Sequence, residues 1–241
     1  MGTARALVKV SLPAGGFQFT SYASPASCCS WRKADGGTPY HRRHDRVNAD
    51  CSGNPSRPEI NVFGAQRVNK AALPLLRAQG KGLLVWVSST TVRGGFPPFL
   101  GPYAAAKAAM DSLAVTLSYE LARFGIETAI VVPGAFTKGT AHFPNAGRPA
   151  DAATVAAYAR YDGLMDQVGA RLSALTPDGA DPQAVADRIA DIVALPAGQR
   201  PFRAMIDFID DGATAVTEVA ERVRAEFARR IGIEDLLKPA C

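Results

Sequence analysis

No two cysteines in this chain stand at CxxC spacing, and the four present (Cys28, Cys29, Cys51 and Cys241) outline no disulfide framework. Long apolar runs are missing as well. No stretch reaches the roughly 18 consecutive apolar residues of a membrane-spanning helix. Internal repeats are absent, and histidine is limited to three residues. The expectation is a cytoplasmic, reduced protein that does not enter a membrane and has no metal site. Its 241 residues, 47% hydrophobic and 20% charged, suffice for one domain with a sizeable core.

An excess of charge is absent from most of the chain too. The formal net charge is +5, but residues 1–58 hold eight bases against three acids, and the remainder has nineteen of each. A nucleic-acid surface would need basic residues spread over the folded body, so no nucleic-acid partner is expected. The basic quarter is compositionally separate. Residues 6–10 (ALVKV) suit one strand, and the following forty or more residues are rich in Ser, Pro, Gly and Arg with no sustained helical period. Three specific readings of this leader are a presequence, a metal site at His41, His44 and Cys51, and a basic arm around HRRHDR. A poorly ordered, solvated tail is preferred over each. Residues 1–58 are accordingly set apart from a single catalytic portion, residues 59–241.

From residue 60 the pattern changes. Residues 60–79 place Val62, Val68, Ala72 and Leu75 on a helical stripe, with Pro74 inside it. Residues 83–87 (LLVWV) read as a buried strand ending in Ser88 and Ser89. A Gly/Pro-rich loop leads to Pro102 and a helix over 103–124, which Gly125 stops. A second strand, residues 126–132, ends at Pro133-Gly134. Weaker helices are expected over 150–159 and 162–175, an Asp181-Pro182 start for a helix to 193, a strand over 203–208, and an amphipathic helix over 210–230.

Tyr103 and Lys107 stand at i and i+4, on one helix face about a turn apart. An isolated phenol, with a pKa near 10, is a poor acid or base at neutral pH. A neighbouring ammonium favours the phenolate and brings it into range for general acid/base catalysis. Ser89 at the preceding strand end supplies a hydroxyl for the same substrate oxygen, with Ser88 as the alternative. Phe96, Phe99, Phe136 and Phe143 either line an apolar pocket or belong to the core.

Asn61 in INVFG, Ser89 in VSS, Tyr103 and Lys107 in YAAAK, and Pro133-Gly134 after a strand together resemble the short-chain dehydrogenase/reductase family. The resemblance is strongest from about residue 60 to 140. It implies an α/β fold, a Rossmann-like doubly wound parallel sheet. It also implies an oxidoreductase that moves a hydride between NAD or NADP and a small alcohol, ketone or aldehyde. Tyr103 would be the general acid/base, Ser89 would orient the carbonyl, Lys107 would tune Tyr103 and bind ribose, and Asn61 would hold a relay water. Pro133, Gly134, Ala135 and Thr137, with Thr140 as the rival threonine, would contact the nicotinamide alongside Tyr103 and Lys107. Pairing of the helices at 61–78 and 103–124 between copies would give a homodimer or homotetramer.

The family's TGxxxGxG turn has no counterpart. Only Gly16 of SLPAGGFQ aligns with it, and the NNAG-type segment is missing, so the N-terminal half of the fold is expected to be incomplete or degenerate. A frameshift, a misassigned start or a deletion would leave a catalytic half behind an unrelated leader. Reading the upstream DNA in all three frames tests that. The competing function is an inactive fragment that serves as a scaffold.

Overall fold

The structure, a computed structural model, describes residues 58–140 and 151–239. The expected strand at 6–10, the His41/His44/Cys51 trio, the basic run at 41–46 and Phe143 lie outside the described residues. A π-helical turn, Glu59–Gly64, leads into helix α1 (Ala65–Gln79), which runs uninterrupted past Pro74. Gly80 closes α1 in the left-handed region (φ 64°), where a side chain would be strained. Strand β1 (Gly82–Val87) follows, then a 3₁₀ turn (Thr90–Val92) and helix α2 (Gly101–Ala122). Proline in the first turn of α2 forfeits no intrahelical bond, and Gly125 at φ 68° turns the chain into β2 (Ile126–Pro133). Helices α3 (Ala152–Ala157), α4 (Leu164–Leu175) and α5 (Gln183–Ala194) precede strand β3 (Arg203–Ile206). Asp181 accepts a bond from the Gln183 amide (2.8 Å) at the start of α5. Helix α6 (Ala213–Arg230) and a short 3₁₀ segment (Glu234–Leu237) complete the described chain.

The three strands form one parallel sheet in the order β1-β2-β3. Gly82 to Val87 register with Ile126 to Val131, and Ile130 to Pro133 with Arg203 to Ile206. Side chains alternate between the two faces of a strand, and the sheet sorts its apolar residues accordingly. Leu84, Trp86, Ile126, Ile130 and Val132 pack against Ala65 and Leu76 of α1 and Met110, Ala114 and Leu121 of α2. Leu83, Val85, Ala129, Val131 and Ala204 pack on the other side against Ile192 of α5, with Val185, Ile189 and Val193 around it. Helices cover both faces, which is why β1 and the second half of β2 read as continuous apolar runs rather than alternating ones. This is the α/β, Rossmann-like arrangement expected from the sequence. Full burial of a residue such as Ile130 or Leu76 contributes roughly 1.5–3 kcal/mol. No helix among the described residues is long and apolar enough to cross a membrane.

Candidate active site

Because the sheet is parallel, all three strands end at one edge; Ser88, Ser89, Pro133 and Gly134 lie at the ends of β1 and β2, and Lys107 reaches the end of β1 from α2. One step along β1 separates two different serines. Ser88 continues the Leu84–Trp86 parity and faces α2, where its Oγ donates to Asp111 Oδ1 at 2.9 Å. Ser89, in extended backbone, caps the 3₁₀ turn; its Oγ accepts from the Thr91 amide (3.3 Å) and the Thr91 hydroxyl (3.0 Å). A hydroxyl has one proton and two acceptor sites. With both acceptor sites used by Thr91, the Ser89 proton is left for another oxygen.

Lys107, one turn after Tyr103 on α2, reaches back under the end of β1. Its Nζ donates to the Val87 carbonyl at 2.9 Å and sits 6.0 Å from the centre of the Tyr103 ring. Burial pushes the ammonium down from an ordinary 10.5 to about 8. One of three N–H donors is used by Val87, leaving two. Asn61 lies within the π-helical turn Glu59–Gly64, which packs against α2. A π-turn widens the helix locally and recurs at functional positions.

Asp111, a turn beyond Lys107, anchors a buried ion network that sequence reading missed. Arg203 of β3 grips its carboxylate with both terminal nitrogens at 2.7 Å, and Arg93 of the loop after β1 stands 3.4 Å away. Arg203 also donates to Glu221 (2.7 Å), which in turn holds Arg224 (2.6 Å) of α6. Burial alone would raise the Asp111 carboxyl. Hydrogen bonds and charge from Arg203, the charge of Arg93 and the Ser88 bond outweigh it and hold the group below the usual carboxylate range. The one sequence signal was an aspartate beside Met110 in a buried apolar stripe.

The strand ends are also tied to one another. Gly134 donates to the Ile206 carbonyl (2.9 Å), and a β-carbon added there would lie 2.3 Å from Asp207 Oδ1. Asp207 receives the amides of Ile209 and Asp211, and the Asp211 carbonyl receives the Gly95 amide at 2.9 Å. Beyond Pro133, Gly134 and Ala135, the Thr137 Oγ1 is buried without a hydrogen-bond partner among the described residues, whereas Thr140 is exposed. A buried hydroxyl left unmatched costs about 1–3 kcal/mol, so this segment retains a polar atom suited to a ligand amide. Phe136 is buried edge-on to Phe208. Phe96 is exposed. Phe99 is half exposed at φ 66°, edge-on to Tyr158 and Tyr161 at 5.9 Å each. Among the described residues no group of three His, Cys, Asp or Glu is placed to hold a metal ion.

Comparison with known proteins agrees with this layout. Residues 57–148 match the short chain dehydrogenase family. An uncharacterized oxidoreductase, YusZ, of Bacillus subtilis (strain 168) is 42% identical over 78 residues, 32% of this chain and 28% of that protein. Human 11-beta-hydroxysteroid dehydrogenase type 2 is 40% identical over 99 residues, 39% of this chain and 24% of its own. Oxidoreductase BOA17 of Botryotinia fuckeliana (strain B05.10) is 32% identical over 154 residues, 61% and 51% respectively. The chain thus spans only a quarter to a half of these relatives. Among solved structures, a short-chain dehydrogenase from Streptomyces avermitilis aligns over 73% of this chain and 60% of its own at 29% identity, with a TM-score of 0.47. A gluconate 5-dehydrogenase from Burkholderia cenocepacia J2315, in complex with NADP and tartrate, aligns over 65% and 54% at 22% identity, with a TM-score of 0.44. A parallel sheet covered on both faces accompanies a family match that runs from Arg57 through both site strands, so this portion of the chain is similar to the short-chain dehydrogenase/reductase family.

Proposed function

We propose that residues 59–241 form the catalytic portion of an NAD(P)-dependent oxidoreductase acting between a small alcohol and its ketone or aldehyde. The observation that carries this reading is Lys107, a buried ammonium anchored on the terminal carbonyl of β1 beside the Tyr103 ring. Tyr103 passes a proton to or from the substrate oxygen, and Ser89 donates its uncommitted proton to the same oxygen. Together they stabilise the charge that develops there. Lys107 supplies positive charge next to Tyr103 and offers its two remaining N–H groups to ribose hydroxyls. Asn61 holds the water through which the proton is replenished. The orphaned Thr137 Oγ1 fits the nicotinamide amide and favours Thr137 over Thr140, with Pro133, Gly134 and Ala135 alongside. The nicotinamide, when bound, supplies or takes the hydride.

Fluorescence titration with NADH and NADPH, followed by turnover of a panel of alcohols and carbonyl compounds, tests the reading. Saturable binding is expected, and Tyr103→Phe is expected to lower turnover by about 10²–10⁴ while leaving binding in place. Unchanged turnover in Tyr103→Phe refutes the assignment. A second reading, an inactive scaffold, is favoured by the lack of a TGxxxGxG turn and by β1 pairing on one edge only among the described residues. It requires that neither nucleotide binds saturably at millimolar concentration.

A further inference from the structure

Helix α6 carries its apolar side outward. Val216, Val219, Val223 and Phe227, with Ile231 just past the helix, are each 48% to 57% exposed. The inward side holds Ala213, Thr217 and Ala228, and the Glu221–Arg224 pair of the ion network. Val219, Val223, Phe227 and Ile231 follow at four-residue spacing and form one ridge. A second ridge runs directly beside it: Glu218, Arg222, Glu226 and Arg230, alternating in sign. All four are exposed, and none has an ion-pair partner among the described residues.

We propose that this face docks a second copy of the chain, α6 against α6, antiparallel. Charge order selects that geometry. A parallel pair would set each charge beside its own copy, Glu218 by glutamate and Arg222 by arginine, which repels. An antiparallel pair with its two-fold axis near residue 224 sets Glu226 opposite Arg222 of the partner subunit at the crossing point. Farther out, Glu218 faces Arg230 of the partner subunit. The symmetry makes each pairing twice, as a self-complementary C₂ interface does. The apolar ridges then meet beside the charged ones, so the rim is polar and the centre dry. A different protein would have no need of this two-fold match between the halves of one helix, whereas a second copy requires it. Five half-exposed side chains fall short of the roughly 800 Å² per partner of a standard interface, so the association is weak and concentration-dependent. It is separate from the pairing of α1 and α2 that the family resemblance implies, and it does not depend on catalytic activity.

Sedimentation velocity of the full chain over roughly 1–500 μM, a range suited to micromolar dissociation constants, reads the assembly directly. Val223→Glu buries like charges near the axis and is expected to abolish one concentration-dependent step. Glu226→Arg alone is expected to weaken that step several-fold. Adding Arg222→Glu to it restores opposite charges across the axis and should recover wild-type behaviour. These positions are exposed, and circular dichroism checks that each variant keeps its helix content. The proposal is overturned if wild type and Val223→Glu sediment alike at every concentration, or if the double charge swap fails to rescue the single one.

Discussion

Replacing Lys107 with methionine is expected to stabilise the chain at neutral pH while removing the function proposed for it. Methionine keeps an unbranched stem of similar length and discards the buried charge. The ammonium titrates at about 8 in the fold against an ordinary 10.5. Holding it protonated in the folded state at pH 7 therefore costs about 3 kcal/mol. Loss of the bond to the Val87 carbonyl returns roughly 1–1.5 kcal/mol of that. A net gain of about 1–2 kcal/mol remains. The pH dependence follows from proton counts. Between pH 8 and 10.5 the unfolded chain holds this proton and the folded chain does not, so wild-type stability rises with pH through that window. The advantage of Lys107→Met should accordingly be full below pH 8, shrink above it and vanish or reverse by pH 10.5. Paired urea melts of the two proteins at several pH values measure the difference, in which all other titrations cancel. A pH-independent difference, or a variant less stable than wild type at pH 7, would refute the reasoning. A stabilised variant without turnover would instead mark Lys107 as a charge retained for function at the expense of the fold.

Asp111→Asn keeps the volume and an acceptor for Ser88 but removes the charge that Arg203 and Arg93 share. Urea melts should show a loss of about 3–5 kcal/mol. Because the Asp111 carboxyl is depressed in the fold, its stabilisation is complete above the ordinary carboxylate range and disappears as pH falls through its lower folded value. The gap between wild type and Asp111→Asn should therefore narrow below about pH 4. Gly134→Ala drives a methyl onto Asp207 Oδ1, whose carboxylate is already held by two amides. Thermal melts should report destabilisation of about 1–3 kcal/mol. A neutral result would mean that the loop after β3 yields freely.

The elements were legible where one local rule dominates. Residues 83–87 and 126–132 are largely apolar segments too short for helices, and both are buried strands. Gly125 was expected to end a helix, and it adopts positive φ. The expected strand over 203–208 stops at Ile206 because Asp207 turns its carboxylate onto the amides that follow. What pattern could not supply was pairing over distance. Asp111 and Arg203 are 92 positions apart, and nothing local in either segment names its partner. The same gap explains α6. Its amphipathic period was plain, but which side faces in is decided by Arg203 waiting on β3 for Glu221, so Glu221 and Arg224 turned inward and the valines outward. At the site, period-two alternation assigns Ser88 to Asp111 and leaves Ser89 to the turn, a distinction the doubled serine alone does not make.

The ion network gives α6 a particular place in the order of unfolding. Among the described residues Arg203 has its one other carboxylate partner, Glu221, on that helix, and Arg224 covers the Phe202 ring at 4.1 Å. Peeling α6 from the body would strip a guanidinium of β3 of half its partners and expose an aromatic ring in the same motion. A C-terminal helix bound only by apolar contacts frays one turn at a time. This one opens with β3 or not at all, so helix and strand form one cooperative unit, and their amides should exchange with solvent together rather than in sequence.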